Sequence, residues 1–248
     1  MSGYNHRAGN TKNGAKRTTG DVVPTKAGAL SLGHSSSRVV RFAIGPYLLA
    51  HRTATMRDGA LKRGNVMSDY RRWYVPGGTF FFTVVTYRRH PLFTDPNAGA
   101  LLGKVMREVR DESPFQTLAV CLLPDHFHVL WTLPAGDSDY SKRLKIIKAE
   151  FTRRWLARGG QELPVSASRR RSGRRGIWQR RFWESTIENE TELEAFFDYI
   201  HYNPVKHGYA IRPWDWVPST FRRYVALGHY PWNWGESEPP HLTGIDFE

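Results

Sequence analysis

Cysteine is almost missing from this chain: Cys121 is the only one in 248 residues. A single thiol excludes an intramolecular disulfide framework and any zinc centre built from several thiolates. Long apolar runs are missing too, and none approaches the roughly 18 residues that mark a membrane-spanning helix. The N-terminal sequence Met1-Ser2-Gly3-Tyr4-Asn5-His6-Arg7 lacks the charged-then-apolar order of a secretory signal. A cytoplasmic protein is the expectation. Acidic side chains are scarce as well, with 23 Asp and Glu against 36 Lys and Arg, a net charge of +13.

That excess is unevenly placed. Residues 1–66 hold 11 basic and 2 acidic side chains and residues 141–181 hold 14 and 2, which leaves the rest of the chain net acidic. Two basic blocks on a mildly acidic body point to a polyanionic partner, with nucleic acid first among them. A solvated basic face that only aids solubility would give the same count.

Residues 1–66 are rich in Gly, Ser, Thr and Ala without a sustained period. They read as a disordered basic extension, or as a start placed too far upstream of Met67. Order begins after that point. Thr79–Tyr87 (TFFFTVVTY) is a β-branched and aromatic strand introduced by the turn Pro76-Gly77-Gly78. Asp95-Pro96-Asn97 opens a helix to about Asp111. Two strands, Phe115–Leu122 and His126–Leu133, are joined through Pro124-Asp125 as a hairpin. A second helix spans Tyr140–Ala157, with Leu144, Ile147, Phe151 and Trp155 at helical spacing.

Residues 159–176 (GGQELPVSASRRRSGRRG) read as a mobile basic loop, and Ile177–Ile187 includes a fourth strand. A last helix runs from Glu190 to Tyr202 and stops near Asn203-Pro204, because proline disfavours helix at the residue before it. The acidic tail 236–248 carries no strong element signal. The order β-α-β-β-α-β-α predicts an α+β fold: a ferredoxin-like (split βαβ) antiparallel sheet with helices on one face and an added C-terminal helix. The hairpin places its second strand in the interior of the sheet.

That strand carries the most informative pair in the chain. His126 and His128 are two residues apart, so on a strand they project from one face while Phe127 and Val129 point to the other. Two neighbouring imidazoles are a start on a divalent metal site. A second cluster lies on the last helix, where Tyr199 and Asn203 are at i and i+4 and share a face. A phenol becomes a competent nucleophile when a cation polarises the phosphate it attacks, and an amide oxygen on the same face could complete that cation's ligands. A mixed nitrogen and oxygen site of this kind suits Mg²⁺ or Mn²⁺. By residue type alone, Tyr202 and Tyr209 compete as nucleophiles, and Asp125, Asp198 and His201 compete as ligands or bases. Asn203 could equally end its helix.

The strand bearing His-hydrophobic-His, followed by a tyrosine-bearing helix, resembles the HUH single-tyrosine transposases. Several blocks in order resemble more closely the REP-associated tyrosine transposases: Tyr70-Arg71-Arg72-Trp73-Tyr74, Gly77–Thr83, Leu123–His128, Ile177-Trp178-Gln179 with Phe182-Trp183-Glu184, and Asp198–Gly208. The resemblance covers about residues 67–235, which read as one transposase domain. It implies His126 and His128 as metal ligands, Asn203 as the third, and Tyr199 as the nucleophile.

It further implies a reaction on single-stranded DNA at REP-type hairpins, through a 5′-phosphotyrosine intermediate that can later be reversed. Arg71, Arg72, Lys148, Arg180, Arg181 and Lys206 are the basic side chains expected on the DNA backbone. Trp73, Tyr74, Phe182 and Trp183 are candidates for stacking on bases. Insertion-sequence relatives act as dimers that trade helices, whereas the REP-associated group looks monomeric. A nucleoid location, and a tail folded over the site, also follow from the resemblance. Competing readings are a non-catalytic binder of hairpin DNA or RNA, and a metal nuclease that activates water.

Overall fold

A computed structural model of the chain describes residues 75–244. The readings made on residues 1–66 and on Arg71, Arg72, Trp73 and Tyr74 lie outside them. Among the described residues, strand β1 (Thr79–Val85) is followed by helix α1 (Pro96–Glu112), strands β2 (Gln116–Leu122) and β3 (His126–Thr132), and helix α2 (Tyr140–Ala157). A short helix α3 (Ala167–Arg171), strand β4 (Trp183–Ile187), helix α4 (Glu190–Lys206) and helix α5 (Phe221–Ala226) complete the order. The helix starts carry the side-chain caps that the sequence advertises. Asp95 accepts from Asn97 N at 2.8 Å ahead of Pro96, and Asn189 accepts from Glu192 N at 2.9 Å. Each supplies one of the hydrogen bonds that a first helical turn cannot make for itself.

The sheet has the order β2-β3-β1-β4, with every neighbouring pair antiparallel. This is the split βαβ arrangement, and it puts β3 in the interior as the hairpin implied. Strand alternation sends Phe80, Phe82, Phe127, Val129 and Trp131 to one face, where α1 and α2 cover them with Leu101, Val105, Ile147 and Phe151. Truncating one of these buried aromatics to alanine costs about 3–5 kcal/mol. Phe81, Ala119, Cys121 and Leu130 point to the other face, which is covered by Phe196, Phe197 and Ile200 of α4. Both faces are therefore buried, and the added helix lies on the same face as the two histidines.

The β2 edge does not stay open. Leu122 N donates to Pro218 O at 2.8 Å and Thr220 N to Val120 O at 2.9 Å. Trp216 Nε1 donates to Leu122 O at 2.8 Å and Tyr224 Oη to Leu118 O at 2.5 Å. Covering an edge in this way removes its template for pairing with another strand.

Three segments differ from the sequence reading. Helix α4 continues through Pro204 to Lys206. Pro204 removes one N–H, yet His207 N still donates to Asn203 O at 3.1 Å, so the ladder resumes within one turn and Asn203 is internal rather than terminal. The basic loop 159–176 is pinned: Arg175 Nε reaches both oxygens of Glu162, at 2.8 and 2.9 Å, and Glu162 also accepts from Gly176 N at 2.8 Å. A Cβ on Gly176 would lie 1.9 Å from Leu163 O, so only glycine fits there. The segment after Gly235 packs on α4, with Leu242 buried and His241 Nε2 3.0 Å from Asp198 Oδ2.

Candidate active site

His126 and His128 are fully buried, and their Nε2 atoms approach to 3.1 Å. Each ring is held from behind. His126 Nδ1 lies 2.5 Å from Asp125 Oδ1, and His128 Nδ1 lies 2.9 Å from Thr83 Oγ1, its cross-strand partner on β1. With a carboxylate accepting the Nδ1 proton, Nε2 of His126 presents its lone pair toward His128. A hydroxyl can serve either tautomer of His128. Partial burial acts to raise the Asp125 carboxyl, but the His126 imidazole and Arg89 outweigh it and hold the group below its ordinary value.

Helix α4 lays one face against this pair. The Tyr199 ring sits 5.4 Å from the His128 ring, and the His207 ring sits 5.4 Å from the His126 ring. Asn203 is midway between Tyr199 and His207 in steps of four residues, so it occupies the turn that faces the histidines. Its amide is fully buried, and among the described residues neither Oδ1 nor Nδ2 has a hydrogen-bond partner. An amide in that state costs about 1–3 kcal/mol. Lys206, two turns beyond Tyr199, donates from Nζ to Tyr199 Oη at 3.1 Å.

Two imidazole nitrogens 3.1 Å apart could ligate one divalent cation. The amide oxygen of Asn203 could supply a third donor. Among the described residues there is no group of three or more His, Cys, Asp or Glu arranged for a metal, so an amide is what such a site would have to recruit.

The alternatives that the sequence left open are separated in space. His201 is fully buried on the far side of α4, with Nε2 2.8 Å from Thr220 Oγ1, and desolvation together with His229 pushes it down to about 3. Asp198 accepts from Tyr230 and pairs with His241. The Tyr202 ring lies edge-on to Trp234 at 6.4 Å. Tyr209 lies beyond the end of α4. Asp125 orients His126 from behind.

The basic candidates divide as well. Arg180 and Arg181 are exposed just before β4. Lys148 is mostly enclosed and donates to Gln179 O at 2.6 Å, and burial first, then Arg169, lower it to about 8. Lys206 lies at the phenol oxygen, a contact that its residue type did not reveal. Phe182 packs on Phe82 and Tyr140, whereas Trp183 is half-exposed against Phe81 and Phe196. Thr83 went unnoticed in the sequence because only strand register sets it opposite His128.

The family "Transposase IS200 like" matches residues 77–203, from the turn before β1 to Asn203. The chain belongs to this family. A REP-associated tyrosine transposase of Escherichia coli K12 is 41% identical over 169 residues, 68% of this chain and 91% of its own. A relative from Haemophilus influenzae is 39% identical over 178 residues, 72% of this chain and 99% of its own. The solved structure of a REP-associated tyrosine transposase bound to a REP hairpin superposes with a TM-score of 0.57 at 37% identity, covering 71% of this chain and 96% of that one. This transposase is thus a DNA-nicking and rejoining enzyme of the REP-associated tyrosine group, on the α+β fold seen in that structure.

Proposed function

We propose that this transposase nicks and rejoins single-stranded DNA at REP-type hairpins, with Tyr199 as nucleophile and with Mg²⁺ or Mn²⁺ held by His126, His128 and Asn203. The observation that carries the reading is the buried Asn203 amide, unpaired among the described residues, on the helix face packed against two imidazoles whose Nε2 atoms are 3.1 Å apart. The bound cation supplies charge neutralisation at the phosphate.

Tyr199 Oη attacks the phosphorus, the bond from phosphorus to the 3′ oxygen breaks, the phenol proton leaves, and the departing 3′ oxygen takes up a proton. The product is a 5′-phosphotyrosine and a free 3′-OH. One ester is exchanged for another, so no ATP is needed and the step can run backward onto a new 3′ end. Lys206 places a positive charge beside the oxygen that must lose its proton, and again beside it when the phenolate departs in the reverse step.

The hairpin partner rests on the likeness to the hairpin-bound relative and on the excess of basic side chains. Arg180 and Arg181, exposed beside β4, are suited to backbone contacts, and Arg71 and Arg72 are proposed with them. A monomer is proposed, as the resemblance to the REP-associated group implies. No described helix is long and apolar enough to cross a membrane, and a nucleoid location is proposed on the ground that its hairpin substrates would lie in the chromosome.

Incubating the full chain with an end-labelled hairpin oligonucleotide and Mn²⁺ tests the assignment. The expected result is a denaturant-resistant protein–DNA adduct that disappears in Tyr199→Phe. Cleavage that releases free product without an adduct would instead establish a water-activating nuclease.

A further inference from the structure

A row of aromatic rings leads outward from the histidine pair, past the end of α4 and onto the next segment. His207 meets His126 edge-on at 5.4 Å. Tyr209 lies nearly parallel to His207, with centroids 5.7 Å apart and planes 23° apart. Trp216 continues the row 5.8 Å from Tyr209 at 27°. Small tilts at nearly 6 Å are offset stacks. Tyr209 is 45% exposed even so, a large area for an aromatic ring held in a fixed place.

The row is held at both ends by main-chain structure. Gly208 adopts φ +70°, Gly208 N donates to Val205 O at 2.9 Å, and Tyr209 N donates to Pro204 O at 2.8 Å. These two bonds form a Schellman motif, which locks the backbone of Tyr209 to the last turn of α4. At the other end, Trp216 is fastened to β2 through its Nε1 bond to Leu122 O. The rings are therefore pre-organised, and a ligand that stacks on them spends little free energy on ordering side chains.

We infer that His207, Tyr209 and Trp216 form a stacking ledge for unpaired nucleobases of the strand that enters or leaves the active site. This rests on the single-stranded DNA reading above and adds to it the place where bases next to the scissile phosphate lie. Stacking tolerates any base, because every base has a π face, so the ledge contributes affinity and registers the strand without reading its sequence. Two observations favour nucleic acid over a protein partner. The row begins at His126, inside the site, and the chain as a whole carries a net charge of +13.

Fluorescence anisotropy of the full chain with hairpins carrying single-stranded flanks tests the ledge, with one base at a time removed to an abasic site. One or two abasic positions next to the cleavage point should weaken binding to the wild-type protein about tenfold. Tyr209→Ala should lose a similar factor on the intact strand and nothing more on those abasic strands, while Tyr209→Phe should bind as the wild type does. The ledge is refuted if no abasic position matters, if Tyr209→Ala loses the same factor on every strand, or if the variant changes only the oligomeric state. Adduct formation on the same strands reports the chemistry separately, so base-dependent binding without an adduct would remove the nucleophile assignment and leave the ledge standing.

Discussion

Lys206 Nζ donates to Tyr199 Oη at 3.1 Å, and the same ammonium lies 4.8 Å from the centre of the Tyr199 ring. Two residues of one helix, two turns apart, thus hold an ammonium against the proposed nucleophile.

The pairing predicts how a Lys206 variant behaves. Lys206→Met should slow adduct formation on the order of a hundredfold while hairpin affinity changes by less than about threefold, and Lys206→Arg should recover part of the rate. Single-turnover cleavage alongside a binding titration makes the distinction. A loss of affinity that matches the loss of rate would return Lys206 to the role of a backbone contact.

Asn203 offers a trade between stability and function. Asn203→Leu removes a buried amide that has no partner among the described residues and should stabilise the metal-free protein by about 1–2 kcal/mol, a rise in Tm of about 2–8 °C for a domain of this size. Adduct formation should vanish in the same variant. Added Mn²⁺ should raise the Tm of the wild type and leave the variant unmoved. A variant that melts earlier and still responds to Mn²⁺ would show that Asn203 is not a ligand.

Thr83 is expected to matter at one remove. Thr83→Val keeps the volume and removes the hydroxyl that holds His128 Nδ1 at 2.9 Å. Loss of such an orienting bond weakens metal affinity by about 10–100-fold, which a Mn²⁺ titration of cleavage rate would register. Saturating Mn²⁺ should restore most of the rate. Unchanged Mn²⁺ dependence would mean that packing alone orients the ring.

Lys148 sets a pH dependence of stability. Burial and Arg169 lower its folded value to about 8, against about 10.4 in an unfolded chain. Between these values the unfolded state binds more protons, so stability rises with pH across that window. Below about pH 8 the wild type carries the full cost of the buried ammonium. Relative to Lys148→Met, it should therefore gain up to about 3 kcal/mol between pH 8 and 10.5 in urea unfolding. A flat difference would show that the ammonium is well solvated.

How much of the site could be read from the sequence depends on the range of each interaction. His126 and His128 were legible because strand alternation is local and the apolar residues between and after them mark the buried face. Tyr199 and Asn203 were legible as a helix pair. The end of that helix was misplaced, because the bias against helix before proline is a local average that packing on the sheet overrides at Pro204. The loop 159–176 looked unstructured, because the Glu162 carboxylate that ties Arg175 and Gly176 lies on the other arm of a loop of that length.

By itself the sequence determined the order of the main elements and the faces of their strands and helices, since these follow from periods of two and 3.6 residues, whereas residue type alone left Tyr202 and Tyr209 beside Tyr199, and Asp125, Asp198 and His201 beside the proposed ligands. Only the tertiary structure decided that Thr83 backs His128, that Lys206 turns toward Tyr199, and that among the described residues the Asn203 amide is left without a partner on the helix face that meets two imidazoles. These depend on strand register and on the docking of α4, which bring together residues as far apart in sequence as Thr83 and Asn203. No local period encodes such distances.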